Sequence, residues 1–171
     1  MDLREAILRR RSIRVFADRP VGVDVVEALK EAALWAPSAG NLQARAFWFV
    51  TKAETRKALG ACSYQEEIFT SAPLVVVACT DDSIMEEYGE RGRDLYAIQD
   101  VAASVQSLLL TAHAHGLGSV WIGAFEPDGV REVLSLPAGL EPVAMVPLGT
   151  PAEAPAAPER RAPKDVFHDV V

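Results

Sequence analysis

One domain that mixes helices with strands, its central strand covered on both faces, is what the sequence predicts. Leu74-Val75-Val76-Val77-Ala78-Cys79-Thr80 is an uninterrupted apolar run, the pattern of a strand buried on both sides. Residues 95–115 place apolar or small side chains at Ile98, Val101, Ala102, Val105, Leu108, Leu109 and Ala112, a helical stripe wide enough to bury in two directions. A length of 171 residues suits one domain that buries a core without disulfides or metal.

The remaining elements follow in order. Asp2 can cap a first helix over Leu3–Arg11, with Leu3 and Ile7 one turn apart facing the core. Asp24-Val25-Val26-Glu27 has capping-box spacing and opens a helix that keeps its period through Val26, Leu29 and Ala33 up to Pro37. Pro37–Asn41 is turn chemistry and runs into a strand, Ala46–Thr51. Thr51-Lys52-Ala53-Glu54 repeats the capping pattern for a short helix to Gly60, and a second helical piece spans Tyr64–Thr70. Asp81–Arg93 is dense in charge and broken by Gly89 and Gly92, which predicts a mobile surface loop. Gly116 and Gly118 stop the long helix. Ser119–Ile122 is a short strand ending at Gly123, Asp128–Leu134 a brief helix, and Pro142–Gly149 a fourth strand. From residue 150 to 163 the chain holds Pro151, Pro155, Pro158 and Pro163 among five alanines, an extended arm that cannot pack on itself. It ends in Arg160-Arg161 and a strand-like Val166–Val171. An apolar terminus beyond a stiff linker suits reception by a partner subunit.

A formal charge of -7 argues against nucleic acid or an anionic membrane as partner. Against that background, six of the 17 Lys and Arg residues fall in residues 1–19: Arg4, Arg9, Arg10, Arg11, Arg14 and Arg19. Guanidiniums hold phosphate bidentately, so Arg9-Arg10-Arg11-Ser12-Ile13-Arg14 suits a small phosphorylated ligand. A mean hydropathy of +0.11 leans apolar and hints at a large subunit interface. Cys62 and Cys79 form no C-x-x-C pair and read as reduced, which fits a cytoplasm. The first residues lack an apolar leader and no apolar run reaches the ~18 residues of a membrane span, so neither export nor insertion is expected. No G-x-G-x-x-G or Walker loop is present, and His113 and His115, two apart on one helix, point apart and are not expected to bind metal.

Polar clusters remain at helix and strand ends, and their order is informative. Arg10-Arg11-Ser12-Ile13-Arg14-Val15-Phe16 and Ala36-Pro37-Ser38-Ala39-Gly40-Asn41-Leu42-Gln43 resemble the two opening motifs of the nitroreductase family. Gln99-Asp100-Val101-Ala102, Gly116-Leu117-Gly118 with Trp121-Ile122-Gly123, and Leu148-Gly149-Thr150-Pro151 with a distal arginine extend the resemblance nearly end to end, to a short member.

The resemblance implies a three-layer α+β fold, its mostly antiparallel sheet flanked by helices, with residues 1–149 as the FMN-binding domain and 150–171 as an arm reaching onto the partner. It implies a homodimer with FMN at the subunit interface. Arg10 and Ser12, with Arg161 from the arm and Arg11 assisting, would hold the phosphate and ribityl chain; Arg14 would lie near the N1/O2 edge of the flavin. Pro37, Ser38, Asn41 and Gln43 would come from the other subunit, and Gln65 would meet the pyrimidine edge. Ile122 and Gly123 would line the ring, the Gly123 N–H aimed at N5. NAD(P)H would give hydride to N5 and be replaced by a nitroaromatic, quinone or similar acceptor in a ping-pong cycle. No side chain is needed as acid or base, so no catalytic residue is expected. Three departures stand out: Gln43-Ala44-Arg45 puts a charge where relatives often carry Pro-Trp beside the acceptor pocket, Glu159 stands where some carry lysine, and little beyond Asp81–Arg93 can form a lid. A flavin-binding module without catalysis of its own is the reading from a different class.

Overall fold

The apolar run forms a strand, β2 (Leu74–Asp81), at the middle of a four-stranded sheet of order β1-β2-β4-β3, where β1 is Arg45–Val50, β3 Gly118–Ser119 and β4 Leu140–Gly149. Every pairing is antiparallel. The computed structural model describes residues 1–170.

Successive β2 side chains point to opposite faces, and both faces are apolar. Val75, Val77 and Cys79 enter one core with Leu59, Ile68, Phe69 and Val130; Leu74, Val76 and Ala78 enter another with Leu29, Val101, Val105 and Leu108. Three helices therefore cover the first face: α3 (Ala53–Ala61), α4 (Glu66–Ser71) and α7 (Pro127–Leu134). Two cover the second: α2 (Val23–Leu34) and α6 (Ala97–Ala114). The expected three-layer α+β architecture is what forms. Pro142, which cannot donate to a ladder, sits where the β2–β4 register shifts between Ala78 and Cys79. Gly116, at φ 76, supplies the left-handed residue that ends α6, and the Leu117 N–H returns to the Ala112 carbonyl at 2.9 Å.

Four expectations need correcting. Helix α1 (Leu3–Arg9) buries Ala6, while Leu3 and Ile7 are 69% and 54% exposed, so its apolar stripe faces away from this subunit's core. Neither capping box operates: α2 is capped by Gly22 and α3 by Lys52, both without a side-chain bond, leaving Asp24 and Glu54 as first-turn charges favourable to the helix dipole.

Residues 81–93 are not a loop. They form a 3-10 turn (Asp82–Ile84), α5 (Met85–Arg91) and a π-turn (Gly92–Tyr96) leading into α6. One glycine serves packing and the other the backbone turn. A Cβ on Gly92 would stand 2.8 Å from the Tyr88 Cβ, and Gly89 takes the kink at φ 57. The tail also lacks its strand: beyond a 3-10 turn at Pro163–Asp165, residues 166–170 have no regular structure, and residues 154–170 are exposed. Val171, the end of that expected strand, lies outside the described residues.

Candidate functional site: an arginine cleft and a strained turn

Helix α1 stops at its C-cap, Arg10, and the chain then runs beside β3: Ser12 pairs with Ser119 and the Ile13 N–H donates to the Ser119 carbonyl at 3.0 Å. Gly118 makes this approach possible, since a Cβ there would lie 2.7 Å from that of Ile13. The arm returns antiparallel to the same segment. Ala17 donates to Thr150, Ala152 to Val15, each at 2.9 Å, and the Glu153 carboxylate accepts the backbone N–H groups of Arg14 and Val15.

The arm thereby closes a cleft of about 320 Å³ lined by Arg10, Arg11, Ser12 and Arg14 on one wall and by Pro155, Ala156, Pro158 and Arg160 on the other. None of these four arginines has a carboxylate partner among the described residues. Burial, then repulsion from Arg11 and from Arg160, lowers the Arg10 pKa from its ordinary value. An arginine stays charged regardless, so the shift records first the burial of its guanidinium and then the crowding by two like charges. A phosphate monoester is the chemical complement of such a cleft.

His113 of α6 is half-buried near this cluster, its Nε2 unpartnered. Burial, then Arg10 and Arg11, lowers its pKa, opposed by Glu5. From about pH 6.5 downward the unfolded chain takes up a proton that the folded chain resists, so stability is full above that pH and declines below it. His113→Gln is expected to flatten the fall of the urea midpoint between about pH 7 and pH 5; an unchanged slope contradicts this.

A second cluster forms between α2 and β1. Gly40, Asn41 and Gln43 all adopt left-handed backbone, at φ 56, 57 and 55, and two of them are not glycine. The Gln43 N–H donates to Ser38 Oγ at 3.1 Å and the Ala39 N–H to Asp100 Oδ1 at 2.9 Å. Arg45 does not project as a free charge: its guanidinium donates to the carbonyls of Leu34, Ala36, Pro37 and Asp100. Asn41, Gln43 and Pro37 are exposed, Ser38 half-buried, and none of the four lines the cleft that holds Arg10.

The other expected residues are dispersed. Gln65 is the exposed N-cap of α4. Ile122 pairs with Met145 by two backbone bonds of 2.8 and 2.9 Å and sends its side chain into the core, leaving only its backbone beside the exposed Gly123. A Cβ on Gly123 would meet nothing closer than 4.0 Å, so no internal packing demands glycine there and the surface is left open to a flat ligand. On the arm it is Arg160 that lines the cleft, whereas Arg161 donates to the Asp165 carbonyl at 2.9 Å. Asp100 is a functional residue that the motifs alone do not single out; its signal in the sequence is a carboxylate inside the apolar stripe of α6, where it is 5% exposed. Burial pushes the Cys79 thiol up to about 12, so it is inert. No helix among the described residues is long and apolar enough to cross a membrane.

Comparison with known proteins follows the same lines. A relative from Methanothermobacter thermautotrophicus, whose name joins NADH dehydrogenase and NAD(P)H nitroreductase, is 33% identical over 159 residues, taking in 91% of this chain and 80% of the relative. An FMN reductase (NADPH) of Bacillus subtilis is 27% identical over 179 residues, 96% of this chain and 72% of its own. A Desulfovibrio desulfuricans protein solved in complex with FMN superposes with a TM-score of 0.88 at 28% identity, covering 100% of this chain and 98% of that one. The nitroreductase family matches over residues 7–66 and 60–150, which hold both the arginine segment and the strained turn, and this chain belongs to that family.

Proposed function

We propose that this chain is an FMN-dependent NAD(P)H oxidoreductase that works as a homodimer. The observation that carries the reading is the cleft in which Arg10, Arg11, Arg14 and Arg160 converge with Ser12 and no carboxylate, in a protein of net charge -7. The FMN phosphate and ribityl chain fit there. Arg10, Arg11 and Ser12 hold the anion, joined by Arg160 in preference to Arg161. Arg14 in the cleft wall would supply positive charge to the flavin, and the open Gly123 would let a flat ring approach the backbone. Pro37, Ser38, Asn41 and Gln43 serve the partner's cleft, since none lines the cleft of its own subunit. Gln65, exposed at the N-terminus of α4, would meet the pyrimidine edge.

FMN held there would supply hydride chemistry between NAD(P)H and a nitroaromatic, quinone or similar acceptor, in ping-pong order. The chain's residues bind and orient; none is needed to move a proton. Relatives bearing NAD(P)H nitroreductase and FMN reductase names, and one solved with FMN, support this assignment. The dimer is supported by apolar side chains without a partner in one subunit, Leu3, Ile7, Leu8, Trp35 and Phe167, and by the open outer edge of β1. A cytoplasmic setting goes with this proposal, as the free Cys62 and Cys79 suit a reducing compartment.

The test is the purified protein without air. It should be yellow and bleach when NADH or NADPH is added, then regain colour with a quinone. A yellow protein that neither nicotinamide reduces would overturn the enzyme reading in favour of a flavin-binding module.

A further inference from the structure

The turn that displays Ser38, Asn41 and Gln43 is held in an unfavourable conformation by two residues outside it. Left-handed backbone at a non-glycine residue persists only where the surroundings over-determine it, and here Asn41 and Gln43 both adopt it, two positions apart. Arg45 is the first residue of β1 and pairs with Thr80 of β2, so its backbone is fixed by the sheet. From that anchor one guanidinium donates to the carbonyls of Leu34 (3.0 Å), Ala36 (2.7 Å) and Pro37 (3.0 Å), which end α2 and enter the turn. The same guanidinium reaches the Asp100 carbonyl in α6 at 3.3 Å. Asp100 in turn grips the turn with Oδ1 on the Ala39 N–H, while its Oδ2 is buried without a partner. The carbonyls at the end of α2 have no intrahelical donor, so a planar fork that reaches several at once does what a single ammonium cannot.

We propose that Arg45 and Asp100 are a positioning pair that locks the 38–43 turn in its binding shape before any ligand arrives, acting on the cofactor only through Ser38, Asn41 and Gln43. The cofactor half of this proposal rests on the FMN reading above; the locking of the turn does not.

The experiment pairs two measurements on the full-length protein. In FMN-free protein, amide hydrogen exchange at Ala39 and Gln43 is compared among wild type, Arg45→Lys and Asp100→Ala, with the amides of β2 as an internal reference for global stability. Exchange at both turn amides is expected to quicken about tenfold, the scale of losing one hydrogen bond, in Arg45→Lys, and at Ala39 in Asp100→Ala, which removes the Oδ1 acceptor. The β2 amides should not change. FMN affinity is then measured by flavin fluorescence quenching. Arg45→Lys should weaken it about tenfold in the wild-type background and no more than about twofold in an Asn41→Ala/Gln43→Ala background, because a positioning residue has nothing to position there. Unchanged turn exchange in both variants, or an equal affinity loss in both backgrounds, overturns the proposal. Should Arg45→Lys fail to fold, Asp100→Ala carries the exchange readout at Ala39 and the affinity comparison between the two backgrounds. Wild-type protein that binds no FMN would remove the functional reading, and the exchange data alone would still decide whether the pair locks the turn.

Discussion

Arg10→Ala is expected to weaken FMN binding by roughly 1.5–3 kcal/mol, about 10- to 150-fold, the range for losing a hydrogen bond to a charged group. The effect belongs to position rather than to charge alone. Arg10 is the C-cap of α1, held at the mouth of a closed segment, half-buried and crowded by Arg11 and Arg160. Arg9, one residue earlier, is paired with Glu5 at 2.9 Å, and its side chain is 72% exposed. An exposed pair of that kind contributes little to anything beyond itself. Arg9→Ala should therefore change FMN affinity by no more than about twofold, although both substitutions remove one positive charge from the same six-residue stretch. Titration of the FMN-free variants by flavin fluorescence quenching separates the two. Equal losses at both positions would mean that the segment acts as a diffuse positive field and not as a built phosphate site.

Removing the arm should have the second large effect. A chain ending at residue 150 loses both the Glu153 carboxylate that ties down Arg14 and Val15 and the Arg160 wall of the cleft, and it loses the exposed tip as well. It is expected to lose the dimer, FMN retention and stability together. A shorter deletion isolates the tip: ending the chain at Ala162 keeps Glu153 and Arg160 but discards Phe167, which is 72% exposed in the single subunit. Full burial of a phenylalanine contributes about 1.5–3 kcal/mol, and twofold symmetry uses the contact twice, so loss of roughly 3–6 kcal/mol from dimerisation is expected. Sedimentation velocity across a dilution series reads this directly. A dimer of unchanged affinity in both truncated chains would mean that the arm serves only its own subunit.

The elements legible in the sequence were those whose patterns report a physical environment confined to one chain. Residues 74–79 are apolar at every position because β2 has helices on both faces, and the stripe of α6 is wide because it meets the sheet on one side and α2 on another. The α1 stripe misled for the opposite reason. Leu3 and Ile7 have helical spacing, but the sequence does not say which body lies across from them, and among the described residues both stay more than half exposed. Residues 81–93 misled because glycine carries two meanings. Gly92 reads as a breaker, yet it is there because Tyr88 and Ile84 crowd against it. The arginine segment and the 37–43 turn were legible as motifs, while their support was not. Nothing local to Arg45 shows that it reaches four carbonyls on two helices and a turn, since those oxygens are brought to it only by the packing of α2 and α6 onto the sheet.

Native mass spectrometry of the purified yellow protein tests most directly whether two chains hold phosphorylated flavin between them. The account predicts a species of twice 18.5 kDa carrying two FMN molecules, with flavin lost from the Arg10→Ala protein under the same conditions. An 18.5 kDa chain that keeps FMN on its own, or a pair of chains with no flavin and no affinity for it, would contradict the account.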